Sequence, residues 1–189
     1  EGGIIAYPTE TVYGLGCDAL NDSAIEKIRK LKGRDGEKPM LVLIRNTEDL
    51  TTLAQDIKPQ AVALMQAFWP GPLTLLLRAA SVIPKPLVSS AGTVGVRISP
   101  DPVCQALLAK WKHPLVSTSA NKSGKAPLQS GSTVRTVFNH TVDLILDDGE
   151  RRKQMPSTIA DATGREPVII RPGSISEDAI YKVWETVNE

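Results

Sequence analysis

The sequence has little of what many functions require. Its two cysteines, Cys17 and Cys104, are too few for a disulfide scaffold and stand in no metal-ligand spacing. One bridge between them stays open, but reduced thiols are the better expectation. Its two histidines, His113 and His140, lie far from any Cys or Asp pattern, which leaves metal hydrolysis and triad chemistry without ligands or bases. Aromatic residues make up 4% of the chain, few for stacking on nucleobases. No apolar run approaches the roughly 18–20 residues of a membrane-spanning helix, so a membrane protein is excluded. No signal peptide precedes the apolar run at Ile4, although the chain opens without Met and a trimmed leader stays open. A cytoplasmic location is the expectation. The net charge of +1 names no partner, because a nucleic-acid interface needs basic residues gathered on one face.

What is present is ordinary globular material: 189 residues, 41% hydrophobic and 23% charged. With no repeat, low-complexity tract or linker, residues 1–189 read as a single domain. Short β-rich runs alternate with helical periods, which predicts an α/β or α+β layered fold. Strands are predicted at Ile4–Tyr7, Met40–Ile44, Leu73–Leu77, Val94–Ile98, Leu115–Ser117, Leu144–Leu146, Thr158–Ala160 and Val168–Ile170. Ser23-Ala24-Ile25-Glu26 reads as a capping box opening a helix with Ile25, Ile28 and Leu31 on its apolar side. Further helical stretches run around Leu50–Ala54, from Pro59 to Phe68, from Pro102 to Lys112 and from Glu177 to Val187. Trp69, Trp111 and Trp184 read as packing residues.

Polar clusters fall in five places beside strand ends, where α/β folds set binding groups. Pro8 to Gly16 holds two threonines, Glu10 and two glycines, and reads as a loop that approaches a ligand. Its Gly14-Leu15-Gly16-Cys17-Asp18-Ala19 matches a degenerate dinucleotide fingerprint in the wrong context, because Arg34 stands where the ribose-binding acid belongs. Lys32-Gly33-Arg34 with Lys38 forms a flexible cationic loop at a helix C-terminus, suited to polyphosphate or simply to the helix dipole. In Thr93-Val94-Gly95-Val96-Arg97 a cation ends an apolar strand. Arg97 therefore pairs with an internal carboxylate, points to water from an edge, or holds the carboxylate of a small acid. Ser117 to Gly124 is a dense hydroxyl-amide turn and not a Walker loop. Ser157 starts one short strand and Arg171 ends the next, a binding pair or a plain hairpin. With no acid–base constellation, chemistry here would proceed by positioning and charge stabilisation.

These clusters, in this order from Ile4 to Gly173, resemble the YrdC-like family of threonylcarbamoyl-AMP synthases, in its short, single-domain TsaC type. The resemblance implies a YrdC/RibB-like twisted open mixed sheet flanked by helices, with a deep, positively charged cleft. It implies that L-threonine, bicarbonate and ATP give threonylcarbamoyl-AMP and pyrophosphate, the first step of tRNA threonylcarbamoyladenosine modification. It places the catalytic tetrad on Lys32, Arg34, Ser119 and Asn121. The ATP site adds Lys38, Thr93, Pro127 and Arg171, and the threonine site takes Thr11, Arg97, Ser117 and Ser157. Mg²⁺ would come with ATP, held by phosphate oxygens and water. Downstream threonylcarbamoyl-transfer proteins are implied as partners, with tRNA or double-stranded RNA as a further one. The pattern departs from the family at Leu43, where longer members carry His, and at Pro127, where some carry a hydroxyl. Two rival readings remain: a double-stranded-RNA or ribosome-associated binding protein with the same fold, and a carbamoyl-transfer or hydrolase relative.

Overall fold

The computed structural model describes residues 2–33, 40–151 and 154–187. In chain order these form β1 (Ile5–Pro8), β2 (Tyr13–Gly16), α1 (Asp22–Lys32), β3 (Leu41–Leu43), a 3-10 helix (Thr47–Thr52), α2 (Pro59–Phe68) and β4 (Leu73–Arg78). A second 3-10 turn (Lys85–Leu87) leads to β5 (Thr93–Arg97), α3 (Pro102–Trp111) and β6 (Leu115–Ser119). The remainder is α4 (Gly131–Phe138), β7 (Leu144–Ile145), β8 (Thr158–Asp161), β9 (Val168–Arg171) and α5 (Glu177–Glu185). The strands make one mixed sheet in the order β7-β1-β2-β6-β3-β5-β4-β8-β9. The mixed sheet flanked by helices matches the expectation.

Side chains alternate across a strand, so the register sorts residues onto two faces. One face carries Val42, Leu75, Val94, Val96, Val116 and Ala160, packed with Ile25 and Ile28 of α1, Leu64 of α2 and Ile180 and Trp184 of α5. Ala6 and Leu15 continue this face beneath Val134 and Phe138 of α4. The pairs Tyr7↔Gly14, Gly14↔Ser119, Leu43↔Leu115, Leu43↔Arg97, Gly95↔Leu76 and Ile159↔Arg171 place the polar residues together on the opposite face. Only part of that second face is roofed. Cys104 and Leu108 of α3 close over Tyr7, Leu43 and Leu115.

Several local expectations change. The first strand is followed at once by a second, so Tyr13–Gly16 is not loop but the return arm of a hairpin turned at Thr9–Val12. Helix α1 is capped one turn-start earlier than Ser23: Asn21 Oδ1 accepts from the Ala24 N–H at 3.0 Å, and Glu26 instead pairs with Arg29. Helix α4 had no periodic signal long enough to announce it, and the Leu50–Ala54 stretch is realised as the 3-10 helix Thr47–Thr52. Trp184 is buried, but Trp111 is exposed and sits edge-on to His113. Both cysteines are free and buried, and burial pushes each thiol up to about 12. Among the described residues no helix is long and apolar enough to cross a membrane.

Candidate functional site

Two buried cations mark the ends of the polar face. Lys32 is the last residue of α1, which stops because Gly33 adopts a left-handed cap (φ 62°). Its side chain is 1% exposed and reaches the end of β6. Nζ donates to the carbonyl oxygens of Ser119 and Asn121 (the latter at 3.0 Å) and to Asn121 Oδ1 at 2.9 Å. Ser119 Oγ donates to the same Oδ1 at 2.6 Å, while Asn121 Nδ2 donates to Lys125 O at 2.5 Å. The Ser123 N–H returns to Lys32 O at 2.8 Å. The hydroxyl-amide turn is thus wound around an ammonium group and set by its three donors.

Arg97 ends β5 and is 4% exposed. Its Nη1 donates to Glu10 Oε1 at 2.5 Å, and its buried Nε has no partner among the described residues. Of the three readings the sequence left open for Arg97, the internal carboxylate is realised in this structure. Arg171 lies near enough for the Arg97 charge to act on it. Partial burial first, and that positive neighbour second, lower the pKa of its guanidinium below the ordinary arginine value. Arg171 Nε and Nη2 donate to Ser157 O at 3.2 and 2.7 Å, and Nη2 donates to Ser157 Oγ at 3.0 Å. Ser157 Oγ also meets Thr74 Oγ1 at 3.1 Å. Gly173 is a close-approach glycine, because a Cβ there would sit 2.4 Å from Pro156 O.

Between these ends lies Ser117, whose Oγ accepts from the Tyr7 hydroxyl at 2.7 Å. Tyr7 is fully buried and its ring lies over the β2 glycines. A Cβ at Gly16 would meet Tyr7 Cε1 at 2.8 Å and Val116 O at 2.7 Å. Burial is the largest cause that holds the Tyr7 phenol well above its ordinary range, so it donates to Ser117 as a neutral hydroxyl. The two glycines therefore serve close packing within a strand, which disposes of the dinucleotide fingerprint.

Over residues 1–173 the sequence matches the model of the Sua5/YciO/YrdC family, whose description reads Telomere recombination. The chain belongs to this family. A Pyrococcus abyssi protein named threonylcarbamoyl-AMP synthase is 39% identical over 183 residues, 97% of this chain and 54% of that relative. A Thiobacillus denitrificans protein of the same name is 39% identical over 166 residues, 87% of this chain and 88% of the relative. The crystal structure of P. abyssi Sua5 complexed with L-threonine superposes with a TM-score of 0.90 at 38% identity, covering 96% of this chain and 54% of that one. The chain thus spans about half the length of the P. abyssi relative.

On this Sua5/YciO/YrdC frame the expected residues fall into distinct groups. Lys32, Ser119 and Asn121 touch one another, and Ser157 touches Arg171. Ser117 and Arg97 share the face with them. Thr93 is buried at the start of β5 and bonds Ser89 Oγ at 2.8 Å, while Thr11 meets Thr9 Oγ1 at 3.2 Å. Pro127 is exposed, next to Leu128, whose N–H bonds Ala120 O at 3.0 Å. Arg34 and Lys38 lie outside the described residues. Leu43 is fully buried against Tyr7, Cys104, Leu108 and Leu115, so its apolar side chain completes the packing under α3 beside Arg97. Glu10, Ser99 and Tyr7 were missed as site residues, because only the fold brings them to Arg97 and Ser117.

Proposed function

We propose that the chain is an L-threonylcarbamoyladenylate synthase, an enzyme of the nucleotidyltransferase kind. The observation that carries this reading is the polar face itself. Two arginines with a single carboxylate pair stand at one end, and a cation-wound hydroxyl-amide turn stands at the other. The names of the relatives and the L-threonine complex support it.

On this reading Arg97 takes the threonine carboxylate, with Thr11, Ser117 and Ser157 supplying hydroxyls. ATP is held through Lys32, Arg34, Lys38, Thr93, Ser119, Asn121, Arg171 and the chain at Pro127. The threonine amine adds to carbon dioxide derived from bicarbonate and loses a proton, giving a carbamate. A carbamate oxygen then bonds to the α-phosphorus as the bond to the β-phosphate oxygen breaks, and pyrophosphate leaves. The face contributes positioning and charge stabilisation. Mg²⁺ enters with ATP, held by phosphate oxygens and water. Among the described residues no group of three His, Cys, Asp or Glu stands ready to hold a metal. Residues 1–189 act as one domain, in the cytoplasm, and hand the product to transfer proteins that modify tRNA.

The test is turnover. With ATP, threonine and bicarbonate, pyrophosphate should be released together with an adenylate of the mass of threonylcarbamoyl-AMP. Release indifferent to threonine would overturn the reading. Salt-sensitive binding of double-stranded RNA without turnover would replace it with a binding module.

A further inference from the structure

Glu10 has no role in the scheme above. It occupies the tip of the β1–β2 hairpin, where a carboxylate would ordinarily face water, yet its side chain is only 13% exposed. It turns inward and is held at both oxygens. Oε1 accepts from Arg97 Nη1 at 2.5 Å and Oε2 from Ser99 Oγ at 2.6 Å. Ser99 is fully buried and in turn accepts the Asp101 N–H at 3.2 Å. Asp101 is the N-cap of α3, accepting from the N–H groups of Val103 and Cys104 at 2.9 and 3.2 Å. The carboxylate is therefore anchored, through one serine, to the start of a helix.

Arg97 depends on that anchor. Its long side chain is set by a single terminal nitrogen, and its buried Nε has no partner among the described residues. An arginine tethered at Nη1 presents one edge in a fixed direction, and an untethered one samples several rotamers. We propose that Glu10, backed by Ser99, is a positioning residue that fixes the guanidinium of Arg97 so that its remaining edge meets the substrate carboxylate. The naming of that carboxylate as threonine's rests on the function proposed above.

Two measurements separate the clamp from the function. The first needs no substrate: the rotation of the Arg97 guanidinium group, read by NMR of its side-chain nitrogens. Rotation should be restricted in the native protein and released in Glu10→Gln and Glu10→Ala. Free rotation in the native protein would overturn the clamp whatever the substrate. The second is calorimetric titration with L-threonine, with ATP as the control ligand. Glu10→Ala should weaken threonine binding at least about tenfold, and Ser99→Ala by a smaller factor, while ATP affinity stays within about twofold. Glu10→Asp, too short to reach both partners, should fall between Ser99→Ala and Glu10→Ala. Glu10→Gln keeps the shape and one acceptor, and it serves if the alanine variant does not fold. Threonine affinity within about twofold of native in Glu10→Ala, or a parallel loss of ATP affinity, would overturn the proposal. A native protein with a restricted Arg97 that binds ATP but not threonine would instead overturn the threonine reading and leave the clamp standing.

Discussion

Lys32 and Arg97 are both buried cations at the edge of one sheet face, but they are housed differently. Lys32 reaches out of a helix end into carbonyl oxygens and an amide oxygen of a turn. Arg97 stays within its strand and meets a carboxylate brought by a hairpin. The first arrangement makes the cation a scaffold, since the turn takes its shape from the ammonium group. The second makes the cation a held tool, with one edge fixed and another left for a ligand. A buried cation is costly in either case, and the kind of partner decides what it can still do.

Substitution should break the two ends unequally. Lys32→Met takes the ammonium donor from three acceptors, leaving Asn121 O unsatisfied while Asn121 Oδ1 keeps Ser119 Oγ and Ser119 O keeps the Asn121 N–H, and should lower unfolding free energy by about 3 kcal/mol, read by urea denaturation. Because it loosens the turn, ATP affinity should fall with it. Arg97→Met should cost about 2 kcal/mol, since Glu10 keeps Ser99, and should abolish threonine binding while sparing ATP. Equal loss of both ligands in both variants would erase the distinction between scaffold and tool. Gly16→Ala tests the ground between them. Its Cβ would press on Tyr7 Cε1 and Val116 O, so a loss of about 1–2 kcal/mol is expected.

Smaller effects lie away from both ends and set the baseline. Asn21→Ala removes the α1 cap and should cost about 1 kcal/mol, with Ser23→Ala below about 0.5 kcal/mol. The thiols give a pH dependence with a definite sign. In the folded chain Cys17 and Cys104 hold their protons to about 12, against an ordinary value of 9.0. Above 9 the unfolded chain releases protons that the folded chain keeps, so stability from these groups is intact below pH 9 and declines as pH rises toward 12. Both thiols should also resist alkylation in the native protein and react on unfolding, as measured by mass increase.

Legibility in the sequence varied with the range of the interaction. Strands β4, β5, β8 and β9 were readable because short apolar runs announce themselves locally. Strand β2 was not, because Gly14 and Gly16 imitate a loop until the Tyr7 ring is seen to lie over them. Helix α4 escaped because Gly131 opens it, and a Cβ there would collide with the Asp147 carboxylate at 2.1 Å. The contact of Lys32 with Ser119 and Asn121 was foreseeable only through the family likeness, since 87 residues separate Lys32 from Ser119.

The sequence by itself determined the layered α/β class, the family and the inventory of cations and hydroxyls, because composition, periodicity and ordered motifs are local properties of the chain. The tertiary structure alone decided what each cation faces. Glu10 is a hairpin-tip residue in the sequence and the counter-ion of Arg97 in the fold, and Ser99 is a loop serine until it holds that carboxylate. Such pairings depend on strand order and register, which bring together residues that no local pattern connects.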